Sequence, residues 1–114
     1  MRQQQPNIEL HRIIERAGTG VDDARVALGD GPVRVRLRAA IRALAVHRGR
    51  QSSTCPSDAA RAVGGENWRE LMYDARTLAR ELALSGDVEI TQGGTVVDPR
   101  SEWSGPIRIR TADR

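Results

Sequence analysis

The stretch Cys55–Val97, CPSDAARAVGGENWRELMYDARTLARELALSGDVEITQGGTVV, reads as a short helix, a Gly-Gly turn, a longer helix and a tight Gly-Gly hairpin. With Cys55 as cap, Pro56 takes the first helical position, where its missing N–H costs nothing. Asp58 takes the third, facing the positive helix end. This helix runs to Val63 and stops at Gly64-Gly65. Asn67 is placed to cap the next helix, with Glu70 as the acid of a capping box, and Gly86 ends that helix just after Ser85. Val88, Ile90 and Gln92 then alternate with Glu89 and Thr91, as in a half-buried strand. Gly93-Gly94 suits a two-residue primed turn. That register sets Ile90 opposite Val97 and Glu89 opposite Asp98, a repulsive pair unless an Arg bridges it. Ile107 and Ile109 alternate with Arg108 and Arg110, as a third short strand closing the sheet would.

Upstream, Val33, Leu37, Ala40, Ile41, Leu44 and Ala45 recur at helical spacing, predicting a helix over Val33–His47. Arg48–Thr54 reads as a basic, polar loop. Gly29-Asp30-Gly31-Pro32 is a break. Before it come a frayed end over residues 1–6, an amphipathic helix over Asn7–Ala17 capped by Asn7 and stopped by Gly18, and a short turn over Asp22–Leu28. The expected fold is α+β, mainly α: a winged helix-turn-helix with a three-helix core, a β-hairpin wing and an extra N-terminal helical segment. The domain limits are 1–32 for that partly helical or flexible segment, 33–110 for the winged-helix domain and 111–114 for a tail.

Composition narrows the chemistry. The apolar fraction is 39%, with no Phe, one Tyr and two Trp, so aliphatic residues and Ala must fill the core. All 18 basic side chains are Arg. Without Lys there is neither a Schiff-base amine nor the Lys of a Walker-type phosphate loop. Arg-only usage suits phosphate or carboxylate recognition, and also follows from a GC-rich coding sequence. Cys55 is alone, so no internal disulfide or cysteine metal cluster forms, and His11 and His47 lack ligand-spaced partners. Catalytic readings fail on this inventory: no enzyme, metal or cofactor is expected. The chain lacks a membrane-length apolar run and a signal-peptide core, and reads as cytoplasmic and bacterial.

The net charge of +3 is uneven. Residues 33–54 hold Arg34, Arg36, Arg38, Arg42, Arg48 and Arg50 and no acid, while the rest of the chain has a slight acidic excess. Such a block reads as an anion-facing surface, unless Asp22, Asp23 and Asp30 fold back onto it. On the helix after the turn, Trp68, Leu71, Met72, Ala75, Leu78, Ala79 and Leu82 form an apolar arc. Arg69, Tyr73, Arg76 and Arg80 form a second stripe, and Glu66, Glu70, Asp74, Thr77 and Glu81 a third. The second stripe is what a recognition helix would bring to DNA. The third would repel phosphates and suits a solvated or protein-facing surface.

Several stretches together, Cys-Pro-Ser-Asp from Cys55, Trp68-Arg69 with Leu71-Met72, Ile90-Thr91-Gln92, Val97-Asp98-Pro99 and Gly105-Pro106-Ile107-Arg108, resemble a bacterial family catalogued only as a domain of unknown function. The resemblance covers Val33 to Arg110 and implies a winged-helix fold, with no activity, cofactor or catalytic residue.

Two functions remain open. One is binding of double-stranded DNA through Arg–phosphate contacts, as in a transcriptional regulator. Its contact residues would be Arg34, Arg38, Arg42, Arg48, Arg50, Arg69, Tyr73, Arg76, Arg80, Arg108 and Arg110. The other is a protein-interaction module without DNA affinity, with a protein partner or a homodimer held through the N-terminal segment.

Overall fold

The computed structural model describes residues 5–112. Five α-helices come first: α1 (Gln5–Arg16), α2 (Val21–Leu28), α3 (Val33–Arg48), α4 (Pro56–Gly64) and, after a 3₁₀ segment at Gly65–Leu71, α5 (Met72–Leu84). Three strands follow, β1 (Val88–Gln92), β2 (Thr95–Val96) and β3 (Arg108–Thr111). The fold is α+β and mainly α.

The core is aliphatic, as the composition requires. Leu37, Ile41 and Leu44 of α3 meet Leu78 and Leu82 of α5 and Ile90, Ile107 and Ile109 of the sheet side, all essentially buried. Ala39, Ala40, Ala43 and Ala45 lie on the same helix as those α3 residues, also buried, and their small side chains let neighbouring helices approach closely. The N-terminal helices belong to this core. Leu10 and Ile13 from α1 and Ala24 and Ala27 from α2 are sealed into the same cluster.

The sheet order is β2-β1-β3, antiparallel throughout. Gly93 and Gly94 both have positive φ, as a primed turn demands. The Val97 N–H donates to the Ile90 carbonyl at 2.9 Å, which is the expected register. Glu89 sits across from Arg110, whose Nη2 lies 2.9 Å from its Oε1, so the bridging arginine comes from β3. Thr54 and Ile109 exchange two main-chain hydrogen bonds of 2.7 Å, which pins the segment before α4 to the far edge of β3.

Several helix ends shift by one residue, and three further boundaries differ from the sequence expectation. α1 starts at Gln5, two residues before the expected cap. Instead of capping, Asn7 donates its side-chain amide to the Ala62 carbonyl at 3.1 Å, tying α1 to α4. Pro6 is buried in the first turn, a position proline tolerates. Residues 1–4 of the expected frayed end lie outside the described residues. The helix expected from Asn67 is first a 3₁₀ segment, with Asn67 itself at φ −95° and ψ 19° and α proper beginning at Met72. The cause is packing: Trp68 is buried, and Leu71 lies so close to Gly64 that a Cβ there would stand 2.8 Å from its Cδ1. Finally, Thr111 of the expected tail belongs to β3, and residues 113–114 lie outside the described residues.

Candidate nucleic-acid interface

The basic block of α3 is largely matched by carboxylates. Arg34 Nη1 lies 2.9 Å from Asp74 Oδ1, and its Nη2 lies 3.5 Å from Glu81. Arg38 reaches Glu81 at 2.8 Å. Arg42 bridges Asp23 at 3.2 Å and Asp87 at 3.1 Å. Of the three acids that were candidates to fold back on the block, only Asp23 does so among these contacts; the others come from α5 and the turn after it. Arg36 donates to the Ala27 carbonyl at 3.0 Å, and Arg50 is exposed.

Arg48, at the end of α3, is the best enclosed of these. It pairs with Glu9 of α1 at 2.8 Å and Asp58 of α4 at 3.0 Å, and donates to the Ser53 carbonyl. The Glu9 hydrogen bond raises the Arg48 pKa against desolvation, with the charges of Asp58 and Glu9 adding to it. Burial pushes the Asp58 carboxyl up, but the Cys55 N–H, the Thr54 hydroxyl and Arg48 outweigh it and hold it below its ordinary value. The Cys55 N–H bond is 3.0 Å long, so Asp58 fills the helix-start role expected of it and also anchors three elements.

The arginines of α4, α5 and the 3₁₀ segment between them are arranged differently. Arg61 and Arg69 both stack on the Trp68 ring, at 4.3 and 4.6 Å from its centroid. The Nε–H of Arg61 and the indole N–H of Trp68 are buried without an acceptor. Arg76 and Arg80 lie over Trp103, at 5.9 and 4.1 Å. Arg76 donates to the Trp103 and Gly105 carbonyls, and Arg80 to those of Pro99 and Ser101. The chain from Val97 to Ile107 therefore folds back on α5, rather than standing free as a wing. The Trp103 N–H closes the loop on the Asp98 carbonyl at 3.1 Å. Gln92 adds bonds to the Ser104 and Pro106 carbonyls. Arg108 donates to Ser53 and to the Cys55 sulfur at 2.8 Å.

None of Arg61, Arg69, Arg76, Arg80 or Arg108 has a carboxylate partner among the described residues. Tyr73 stands beside them on α5 with 80% of its surface exposed. Between α5 and the folded-back loop lies a cleft of about 330 Å³, lined by Tyr73, Arg76, Thr77, Arg80, Glu102 and Trp103. Glu102 and Trp103 were not singled out from sequence. The available signal was Trp103 itself, one of three aromatics in the chain, set in a loop where no local pattern gives it a partner. No described helix is long and apolar enough to cross a membrane.

The model of the family described as "Protein of unknown function (DUF3253)" matches residues 34–112, and the chain belongs to that family. The match takes in α3 through β3 and leaves out α1 and α2, although both contribute to the core. No curated protein matches the chain significantly.

Proposed function

We propose that this family member is a small winged-helix-type protein that binds nucleic acid through the outer face of α5 and the loop packed on it. The reading is of a non-enzymatic, cytoplasmic protein of the kind that regulates transcription. One observation carries it: Arg61, Arg69, Arg76, Arg80 and Arg108, on α4, the 3₁₀ segment, α5 and β3, make no ion pair among the described residues, and the highly exposed Tyr73 stands on α5 beside Arg69, Arg76 and Arg80. Helix order supports it too, since α4, the Gly-Gly turn and α5 followed by a small sheet form the arrangement that presents a helix to a groove. Arg34, Arg38, Arg42 and Arg48 would join such a contact only by exchanging a carboxylate for a phosphate, so they are secondary. Fluorescence anisotropy with labelled oligonucleotides across a salt series tests the reading. Phosphate contacts predict affinity that falls steeply with salt. Absence of binding even at low salt would sink it.

The second reading, a protein-interaction module, is favoured by Glu66 and Glu70. They flank Arg69, are exposed, and make no ion pair among the described residues. Alternating charge of this kind suits a complementary protein surface as well as a solvated one. Concentration-dependent sedimentation abolished by Arg69→Glu, with no nucleic-acid affinity, is the outcome it requires. Deleting residues 1–30 would not test it, because Leu10, Ile13, Ala24 and Ala27 would leave the core.

A further inference from the structure

We propose that the cleft between α5 and the loop over residues 98–106 takes an unpaired nucleobase, so that the chain prefers single-stranded to duplex nucleic acid. This rests on the nucleic-acid reading above and narrows its substrate class.

The cleft is built around a fixed cationic platform. Arg80 lies 4.1 Å over the Trp103 ring while donating to two loop carbonyls. Arg76 sits at 5.9 Å and donates to two more. Arg80 gives Nη1 to both carbonyls and Arg76 gives Nη1 and Nη2, so both guanidiniums are held against the loop. The pair offers its planes as well, without a carboxylate to neutralise them among the described residues. Guanidinium planes and aromatic rings are the surfaces on which splayed-out bases stack. Tyr73, also lining the cleft, supplies a second ring, and its exposure leaves it without a packing role in the fold.

The remaining lining sorts bases from phosphates. Glu102 is exposed and has no ion pair among the described residues. An ionised carboxylate accepts hydrogen bonds and repels phosphate, so it matches the N–H donors on a base edge. Thr77, one turn along α5 from Tyr73, adds a hydroxyl. In a duplex, base faces are stacked and their Watson–Crick edges are paired. Only an unpaired base can present both to one cleft. The volume lies at the lower end of the ordinary range for ligand sites, about 300–1,000 Å³.

The test compares one mixed-sequence oligonucleotide, single-stranded and annealed to its complement, by anisotropy at equal salt with the full chain and with Tyr73→Ala. Circular dichroism confirms that the variant is folded, as expected for a side chain this exposed. The expected result is tighter binding of the single strand, with Tyr73→Ala weakening it on the order of tenfold, the value of one stacked base, and so reducing the preference for single strand over duplex. Tighter duplex binding overturns the inference and leaves the proposed function standing. So does tighter single-strand binding that ignores Tyr73→Ala, because the base then sits elsewhere. Binding of neither form overturns both.

Discussion

Two sets of arginines, drawn from the same Lys-free composition, are used in opposite ways. Four of the five in α3 end on carboxylates: Arg34 and Arg38 on α5, Arg42 on α2 and the turn before β1, Arg48 on α1 and α4, while Arg36 ends on a main-chain carbonyl. Those flanking the Gly-Gly turn and along α5 end on indoles and main-chain carbonyls. In the first set the charge is spent on holding helices together. In the second, stacking and carbonyl bonds fix the side chain while the charge stays uncompensated. Most of the densest run of positive charge in the sequence is thus matched by carboxylates in the folded protein.

The comparison breaks most readily at Asp58, where the paired set is most enclosed. Asp58→Asn removes a carboxylate that accepts from Arg48, the Cys55 N–H and the Thr54 hydroxyl. Loss of charged hydrogen bonds at this largely enclosed site costs about 2–3 kcal/mol, to be read from the denaturation midpoint at neutral pH. The acid side gives an independent check. Because Asp58 has a lower pKa folded than unfolded, the unfolded chain takes up the proton first as pH falls. Its stabilisation is full above the ordinary value of 3.8 and is lost as pH drops through the folded pKa. The gap between wild type and Asp58→Asn therefore narrows below that value. A gap constant down to pH 2 would mean that Asp58 is not held by these partners.

The unpaired set breaks at the loop. Replacing Arg76 and Arg80 with Ala removes four bonds to main-chain carbonyls and the stack on Trp103. At roughly half-exposed positions this costs about 1–2 kcal/mol. The sharper readout is local: amides over residues 98–106 lose hydrogen-exchange protection while those of α3 keep theirs. Uniform loss of protection would show that the loop unfolds only with the whole domain.

How much of this was readable beforehand follows from the range of each interaction. The α4 start, with Pro56 and Asp58 in place, and the Gly93-Gly94 turn with its register depend on residues a few positions apart, and the structure has them as the pattern predicts. The bridging of Glu89 by an arginine was legible because strand alternation exposes the problem it solves. Of the carboxylate partners of the α3 arginines only Asp23 was named as a candidate; the partners lie 10 to 47 positions away, at a distance only the packing of helices determines. The 3₁₀ entry to α5 escaped for a related reason. Asn67 and Glu70 make a good local capping signal, and burial of Trp68 with the approach of Leu71 to Gly64 overrides it. A similar local effect shows at Ala17, which ends α1 with φ +52°. Ala17→Gly relieves that conformation and should stabilise the protein by up to about 1 kcal/mol; a lowered melting temperature would contradict the strain.

The smallest stability effect separates the two sets most cleanly. Arg38 and Glu81 form an exposed pair, so Arg38→Ala should cost less than about 1 kcal/mol, shrinking further with added salt. Its consequence for binding should be equally slight, because a guanidinium already facing a carboxylate releases little counterion when a phosphate arrives. Arg69 is the counterpart: exposed, stacked on Trp68 and without an ion pair among the described residues. Arg69→Ala should reduce the slope of log affinity against log salt by about 1, the share of one phosphate contact. Arg38→Ala should leave that slope unchanged. Equal changes from both would mean that α3 gives up its carboxylates on binding, and the division between structural and available arginines would then hold only for the free protein.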